Sequence, residues 1–338
     1  MTVMNADETP HDHAEPQRQP QPQQRTLAIA VLTFRRPDDL RVVLPLLVEQ
    51  LLAVGSRVKG TVLVVDNDPA GSGRSTVDAV TSGMPAGQQH LVDYVHEPTP
   101  GIAAARNRAL DESRDSDLLV FIDDDERPTP EWLSSLLEVQ SATGCAAVAG
   151  PVTSEYEIEP GRWITAGRFF ERRRLADRTP ITVAATNNLL LDMGLVTELD
   201  LRFDTTLGVI GGEDTLFTRQ IVDGGGTMFW AAGAGVVDVV PRARITKKWV
   251  VLRAFSSGNS WSVTSLMLTG GGSVAQLKAR LVLTARGLVR AAAGTAQIVA
   301  GIVLRSLAHR ARGTRTLARG AGMVGGAWGY SYEEYRRA

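Results

Sequence analysis

Four runs of apolar residues, each followed by polar or charged residues, divide the first half of the chain. They are predicted strands at 26–33, 61–65, 91–95 and 118–122. Continuous apolar runs are typical of parallel strands that are buried on both faces of a sheet. The segments between them predict helices that begin at Pro37 and span 74–82 and 102–114. Strands that alternate with helices predict a mostly parallel, three-layer α/β domain.

The second half of the chain is less regular. It predicts strands at 182–191 and 227–232, and a helix at 213–223 that three glycines would end. After Lys247 the pattern becomes helical, and residues 274–308 are mostly Ala, Leu, Val, Gly and Arg. The predicted domains are a disordered tail at 1–25, an α/β domain at 26–262, and a basic, apolar helical region at 263–338.

Composition restricts the class of protein. Of 338 residues, 43% are hydrophobic and 22% are charged, which excludes a wholly disordered chain, collagen and a coiled coil. A single cysteine, Cys145, excludes an intramolecular disulfide framework and a cysteine-based zinc cluster. No stretch reaches the ~18–20 uncharged apolar residues of a clear membrane span. Residues 1–25 lack the apolar core of a signal peptide, so we expect a cytoplasmic tail.

Charge is distributed unevenly along the chain. Residues 277–338 hold 11 Lys and Arg against two acidic residues, whereas residues 1–276 hold 25 basic and 35 acidic residues. An acidic body with a basic, apolar C-terminal region predicts attachment to an anionic membrane surface, and no nucleic-acid partner. Within this region, the apolar run 291–304 is flanked by arginines and predicts an interfacial or re-entrant helix. The alternative is a helix packed on the domain.

Polar residues follow three of the predicted parallel strands, at 33–36, 66–68 and 123–125. Ligands of open α/β sheets bind beyond the carboxyl ends of the strands, so these residues predict a binding site. Asp123, Asp124, Asp125 and Glu126 would repel one another without a counter-ion. A hard cation such as Mg²⁺ or Mn²⁺ would relieve that repulsion. The alternative is a solvated acidic turn.

Two further segments could carry chemistry. Gly211-Gly212-Glu213-Asp214 comes just before a predicted helix, and either acid could be a general base at a cleft or a helix-capping residue. Arg106 follows Gly101 on a predicted helix and could reach a diphosphate or lie on the surface. The arginines at 168, 172, 173, 174 and 178 favour a solvated face over a site. Gly320–Gly325 matches GxGxxG without a preceding strand, so we reject it as a dinucleotide site.

Six stretches, in this order, resemble motifs of the family 2 glycosyltransferases of the GT-A fold, and most closely those of bacterial exopolysaccharide (succinoglycan-type) glucosyltransferases. The resemblance covers about residues 26–262, and the ordered set is far more specific than any single motif. The stretches are Val31-Leu-Thr-Phe-Arg-Arg-Pro37, Val64-Val-Asp-Asn-Asp68, Gly101-Ile-Ala-Ala-Ala-Arg-Asn107, Phe121-Ile-Asp-Asp-Asp-Glu126, Thr186-Asn-Asn188 and Gly211-Gly-Glu-Asp-Thr-Leu-Phe217.

The resemblance implies a GT-A domain, of Rossmann-like three-layer architecture, that binds a nucleotide-sugar donor such as a UDP-sugar. Thr33, Phe34, Arg35 and Asp66 would hold the base and ribose. Arg106, which could reach the diphosphate from its predicted helix, is a further expected donor-binding residue. The acceptor would be lipid-linked or a glycan.

The resemblance also implies roles for the acidic residues. Asp123 and Asp124 would line the ribose and phosphates, and Asp125 would hold Mg²⁺ or Mn²⁺ on the diphosphate. Asp214 would take the proton of the acceptor hydroxyl in a single displacement that inverts the anomeric configuration. Glu213 would assist acceptor binding.

Two departures from the family pattern matter. Where many members have a metal-binding histidine, this chain offers Asp238, so the expected metal ligands are Asp125, Asp123 and Asp238. The Gln/Arg-x-x-Arg-Trp motif of processive synthases is absent, so we expect transfer of one sugar per acceptor. The expected enzyme acts in cell-surface polysaccharide synthesis, at the inner face of the cell membrane. The alternatives are a sugar-phosphate nucleotidyltransferase and a catalytically dead scaffold of the same fold.

Overall fold

The computed structural model describes residues 24–332 except Val209, so the predicted tail lies almost wholly outside the described residues. The strands are β1 (Arg25–Thr33), β2 (Val58–Asp66), β3 (Val92–His96), β4 (Leu118–Asp123), β5 (Glu126–Pro128), β6 (Ala147–Ala149), β7 (Val152–Tyr156), β8 (Pro180–Ile181), β9 (Asn188–Asp192), β10 (Met228–Trp230) and β11 (Val236–Val240). The helices are α1 (Pro37–Val54), α2 (Arg74–Ser82), α3 (Ile102–Glu112), α4 (Trp132–Thr143), α5 (Arg162–Gly167), α6 (Met193–Glu198), α7 (Glu213–Asp223), α8 (Lys247–Met267), α9 (Ser273–Val303) and α10 (Leu307–Ala327).

The larger sheet has the strand order β3-β2-β1-β4-β9-β6-β10-β8 within the described residues. Strands β3, β2, β1 and β4 are parallel, as their apolar runs predict, while β9 is antiparallel to both of its neighbours. Alternate residues of β1 point to opposite faces of the sheet. One face packs against α1 and α4, and the other against α3, α6 and α7, so the predicted three-layer α/β architecture is confirmed.

The predicted strand at 182–191 is wrong in its first part, because only Asn188–Asp192 joins the sheet. Residues 182–187 instead form hydrogen bonds to α7 and to β5. The Ala184 amide donates to Thr218 Oγ1 on α7 at 3.3 Å, and the Asn187 side chain donates to Glu126 Oε1. These contacts draw the segment towards the carboxyl edge of the sheet instead of extending it along β4.

A second, three-stranded sheet of order β5-β11-β7 was not predicted from the sequence. Strand β5 has only three residues, too few for an alternation pattern to be seen. It begins immediately after the acidic turn that follows β4. Its antiparallel register with β11 places Asp238 directly opposite Glu126. The small sheet therefore carries both carboxylates to the site edge of the larger one.

The C-terminal region is helical, as predicted, but its first helix begins at Lys247, so the predicted boundary at 262/263 falls inside α8. Helices α9 and α10 pack closely along a seam of glycines. A Cβ atom placed on Gly287 would lie 2.9 Å from the carbonyl oxygen of Gly320, and one placed on Gly294 would lie 2.7 Å from that of Gly313. The two pairings run in opposite directions along the chain, so the helices are antiparallel.

The glycines of the rejected GxGxxG match have a packing role in α10. A Cβ on Gly320 would meet the backbone of α9, and one on Gly322 would lie 2.0 Å from the Phe255 carbonyl oxygen on α8. Helix α10 also contacts α5 of the α/β body, where Arg315 donates to the Arg168 carbonyl oxygen at 2.9 Å. Over the described residues, no helix combines the length and apolar character required to cross a bilayer.

Candidate active site

The carboxyl ends of β1, β2 and β4 bring together the polar residues that follow each apolar run. In the strand register Thr33 pairs with Asp66, and Leu32 pairs with Asp123. The gathering of polar strand ends predicted from the sequence is thereby confirmed.

One half of this edge is built around Asp66, which is fully buried at the end of β2. Its carboxylate accepts hydrogen bonds from the Gly73 amide at 2.6 Å and from the Tyr94 hydroxyl at 2.9 Å. Arg35, in the loop after β1, has a φ of 56°, and its Nε lies 3.2 Å from Asp68 Oδ1. Its guanidinium also lies 5.0 Å from the centre of the Phe34 ring. This half therefore offers an aromatic ring and a cation beside a rigid carboxylate.

The acidic turn after β4 is held by an arginine that the sequence analysis did not single out. Arg36 Nη1 lies 2.9 Å from Asp124 Oδ1 and 2.6 Å from Asp125 Oδ2. Thr33 Oγ1 donates a second hydrogen bond to Asp124 at 2.8 Å. Burial raises the pKa of Asp124 to about 7, although the charge of Arg36 and the Thr33 hydroxyl oppose the rise. Arg36 thus joins the β1 and β4 loops and partly neutralises the turn.

Asp123 and Glu126 lie deeper in the same turn. Burial raises the pKa of Asp123 to about 6, with Arg106 opposing the rise. Burial likewise raises the pKa of Glu126 well above its ordinary value, and the negative charge of Asp123 adds to the effect. Glu126 Oε1 accepts a hydrogen bond from Asn187, whereas Oε2 is buried and has no hydrogen-bond partner within the described residues.

Asp238 lies close enough that its negative charge raises the pKa values of Asp123 and Glu126. Its Oδ2 accepts a hydrogen bond from Arg172 Nη2 at 2.7 Å. The residues described do not contain a group of three or more acidic, His or Cys side chains already arranged to hold a metal. In this structure the guanidinium groups of Arg36 and Arg172 take the place of a counter-ion.

The other wall of the site is the N-terminal end of α7. Gly211 and Gly212 have φ values of 79° and 102°, which favour glycine, and they turn the chain sharply into the helix. Asp214 follows in the first turn of α7, where the positive end of the helix dipole favours a carboxylate. Its Oδ1 accepts a hydrogen bond from the Thr215 amide at 2.6 Å. The Asp214 side chain is half-buried, so it remains partly accessible from the site.

A buried ion pair lies behind Asp214. Arg106 Nη1 lies 2.6 Å from Glu213 Oε1, and both side chains are less than a tenth exposed. The Arg106 guanidinium also interacts electrostatically with Asp214 and Asp123, and lies 5.5 Å from the centre of the Phe203 ring. Burial raises the pKa of Glu213, and the charge of Arg106 opposes the rise. Arg106 therefore lies between the acidic turn of β4 and the acids of α7.

Asn107, the neighbour of Arg106, positions the chain that leads to α7. Its side chain donates to the Phe203 carbonyl oxygen at 2.9 Å and accepts from the Phe203 amide at 2.8 Å. The Phe203 ring stacks on Phe217 with a centroid distance of 4.1 Å. The Arg-Asn dipeptide of α3 thus fixes both the buried ion pair and the segment that leads to α7.

A small cavity of about 140 Å³ opens beside Asn187 and Arg172, the hydrogen-bond partners of Glu126 and Asp238. Its lining residues come from the strand ends and from the arginine-rich segment, and are Ala149, Gly150, Val152, Arg172, Arg173, Ala184, Ala185, Asn187, Asn188 and Trp230. The Trp230 Nε1 atom is buried without a hydrogen-bond partner in the described residues. All five arginines of this segment are exposed, as predicted, yet Arg172 and Arg173 also reach the site.

The sequence analysis missed three residues of this site: Arg36, Asn187 and Arg172. Arg36 lies beside the selected Arg35, and Asn187 lies within a quoted motif. Arg172 lies 66 residues from its partner Asp238, a separation that no local pattern reveals. As a whole, the site combines a cluster of buried carboxylates, a polar edge at the ends of β1 and β2, and the half-buried Asp214 on a separate helix.

The sequence and the fold are similar to those of known proteins. Residues 28–199 match the model of the family described as Glycosyl transferase family 2. The succinoglycan biosynthesis protein ExoM of Rhizobium meliloti (strain 1021) is 36% identical over 232 residues, which cover 69% of this chain and 72% of ExoM.

Two solved structures show a related fold. A mannosyltransferase from Pyrobaculum calidifontis, solved with GDP-Man and Mn²⁺, aligns with a TM-score of 0.60 at 18% identity, over 90% of this chain and 88% of its own. GalNAc-T7, solved with UDP, GalNAc and Mn²⁺, aligns with a TM-score of 0.50 at 12% identity, over 76% and 54% of the two chains.

Proposed function

Because this chain belongs to glycosyl transferase family 2, we propose that it transfers a single sugar from a nucleotide sugar, in the first place a UDP-sugar, to a lipid-linked or polysaccharide acceptor. The process would be the synthesis of a cell-surface polysaccharide, which the similarity to a succinoglycan biosynthesis protein supports. The observation that carries the proposal is the position of Arg106 between the acidic turn of β4 and Asp214. Asp123, which is expected to bind the donor, and Asp214, which is expected to act as the base, therefore interact with the same buried guanidinium.

The donor would lie along the edge formed by β1 and β2. Phe34 and Arg35 offer a ring and a guanidinium for the base, while Thr33 and Asp66 offer polar atoms for the base and ribose. Asp66 already accepts three hydrogen bonds, from the Asp68 and Gly73 amides and the Tyr94 hydroxyl, so its carboxylate is held in place before the donor arrives. The diphosphate would then extend towards the acidic turn of β4.

The metal in this proposal would be Mg²⁺ or Mn²⁺, held by Asp125, Asp123 and Asp238. These cations take carboxylate oxygens, and this part of the site offers oxygen ligands, among them the unpartnered Glu126 Oε2. The donor set therefore fits such a cation. When bound, the cation would neutralise charge on the leaving diphosphate. Arg36 and Arg172 would have to release Asp125 and Asp238 to it.

Asp214 would act as the general base. Its carboxylate would accept the proton of the acceptor hydroxyl while the hydroxyl oxygen forms a bond to the anomeric carbon. The bond between that carbon and the diphosphate oxygen would break in the same displacement, so the anomeric configuration would invert. Glu213 and the adjoining cavity would help to position the acceptor.

The enzyme would work in the cytoplasm, peripherally bound to the inner face of the cell membrane. The support is the basic C-terminal region, whose 11 Lys and Arg against two acidic residues over 277–338 complement an anionic membrane surface. That position would also give the site access to a lipid-linked acceptor.

The test of the proposed activity is thermal unfolding with UDP, GDP, dTDP or CDP, each with and without Mn²⁺. A ligand at about 100 times its Kd adds roughly 2.7 kcal/mol to the free energy of unfolding. We expect stabilisation by UDP that depends on Mn²⁺. Pyrophosphate release from a nucleoside triphosphate would indicate a nucleotidyltransferase instead. A folded protein that no diphosphate stabilises would contradict the proposal and favour a scaffold.

A further inference from the structure

Helix α9 exposes large apolar side chains along its entire length. Val289 is 69% exposed and Val303 is 75% exposed. We call this set the outer face of α9, and its residues are Val274, Leu277, Leu281, Val282, Leu288, Val289, Val299, Ile302 and Val303. At a rise of 1.5 Å per residue the helix is about 46 Å long. Contiguous exposed apolar surface of this extent marks an interaction site.

The opposite side of α9 is already occupied. Gly287, Gly294 and Gly301 are buried against α10, where a Cβ atom on any of them would lie within 3 Å of α10 atoms. Helix α10 is in turn packed against α8 and α5. The outer face therefore points away from the α/β body, and the described part of the chain leaves it uncovered.

The charges around this face select its partner. The chain has no acidic residue between 239 and 332, but 14 Lys and Arg. Lys278, Arg286 and Arg290 are exposed on α9 itself, and Arg305 is exposed just beyond its end. Two copies of the face placed together would bring these cations close without a compensating acid. An anionic lipid surface supplies the missing charge.

An amphipathic aromatic side chain lies near the first half of α9. The indole Nε1 of Trp328 donates to Thr284 Oγ1 on α9 at 3.0 Å, while the side chain is 56% exposed. Tryptophan is favoured at the boundary between lipid headgroups and acyl chains, because its ring is apolar and its N–H is polar. Its position beside α9 fits a helix lying in that boundary.

We infer that the outer face of α9 binds an anionic lipid bilayer, with the helix axis lying along the membrane plane from Val274 to Val303. This inference deepens the membrane attachment in the proposed function by naming the contact surface. It also replaces the narrower contact at 291–304 expected from the sequence, because Gly294 and Gly301 of that run are buried against α10 while exposed apolar residues continue towards the start of α9. A re-entrant path does not fit, since α9 is one unbroken helix.

The test uses the full chain and sedimentation with vesicles of phosphatidylglycerol and phosphatidylcholine in equal parts, compared with phosphatidylcholine alone. We expect binding to the anionic vesicles that weakens as salt is added. The double variant Leu281→Glu/Leu288→Glu should lower the partition coefficient about tenfold or more, because it removes apolar contact and adds like charge. The matched control is Val42→Glu/Leu52→Glu on α1, whose side chains are about equally exposed, and it should bind as wild type does.

Three results would overturn the inference. The first is a wild-type protein that does not bind anionic vesicles. The second is an α9 double variant that binds them as wild type does. The third is a wild-type dimer that the α9 substitutions convert to monomers. Stabilisation by UDP and Mn²⁺, measured on the same samples, separates the two proposals. If the α9 variant loses vesicle binding but is still stabilised by UDP and Mn²⁺, it is folded, and the result supports the membrane-binding role of the outer face of α9.

Discussion

Arg36 Nη1, in the loop after β1, lies 2.6 Å from Asp125 Oδ2, in the turn after the neighbouring strand β4. The expected metal ligand is thus paired with a side chain from another loop. The Arg36 guanidinium supplies positive charge to the acidic turn. The pairing also means that any cation at Asp125 must displace Arg36.

We expect Arg36→Gln to lower the Tm in metal-free buffer, because Asp124 and Asp125 lose their counter-charge. Addition of Mn²⁺ should restore more stability to the variant than to the wild type, since no guanidinium competes for Asp125. Thermal unfolding with EDTA or Mn²⁺ measures both effects. The control is Arg41→Gln, whose ion pair with Asp38 is exposed and should contribute little. Equal responses of wild type and Arg36→Gln to Mn²⁺ would exclude this competition.

Asp214→Asn should reduce sugar transfer by about 10²–10⁴-fold, the usual contribution of a general base. Nucleotide binding should change little, because Asp214 is on the α7 side of the site. Turnover and UDP-induced thermal shift should be measured together. Asp223→Asn, at the exposed C-terminal end of the same helix, is the matched control. Near wild-type transfer by Asp214→Asn would remove Asp214 from the role of base.

Gly212→Ala should destabilise the protein by about 1–3 kcal/mol, since its φ of 102° strains any other residue. A Cβ there would also lie 2.9 Å from Ser260 Cβ on α8. Gly225→Ala isolates the backbone effect, because its φ is 89° but no atom lies within 4 Å of the new Cβ. Urea unfolding measures the loss in the free energy of unfolding for each variant, and the difference between the two losses is the steric contribution at Gly212. If Gly212→Ala is no worse than Gly225→Ala, α8 does not pack against the start of α7 as described.

Glu213→Gln should cost about 3–5 kcal/mol of stability, because it removes the carboxylate that forms the direct ion pair with the buried Arg106. Arg106→Met should have a similar cost, and the double variant should be less destabilised than the sum of the two. A double-mutant cycle in urea measures the coupling. The cycle also tests the donor-binding role expected of Arg106 from the sequence. An Arg106→Met protein of normal stability that binds UDP weakly would favour that role over the buried ion pair.

The sequence predicted the sheet edge well because the relevant signals are local. Each buried strand is a continuous apolar run, and its first polar residue marks where the run reaches the edge. Parallel order then places Thr33 beside Asp66 in the register. The bounds of the helix at 213–223 were predicted equally well, because Gly212 precedes its first residue and Gly224 follows its last.

The pairing of charges could not be predicted in the same way. Arg106 contacts Glu213 across 107 residues, and Arg36 contacts Asp125 across 89 residues. Nothing in the local pattern distinguishes these arginines from exposed ones. The three-residue strand β5 is likewise too short for periodicity, so the position of Asp238 opposite Glu126 required the fold.

The glycine seam between α9 and α10 makes helix length a constrained quantity. Gly287, Gly294 and Gly301 recur every seven residues, which is close to two full turns. Deleting one residue between two of them would rotate everything beyond by about 100° and carry later glycines out of the seam. The seam therefore constrains the length of the helix. Substitutions on the outer face leave the packing of α9 on α10 intact, whereas insertions and deletions keep the glycines in the seam only in steps of seven.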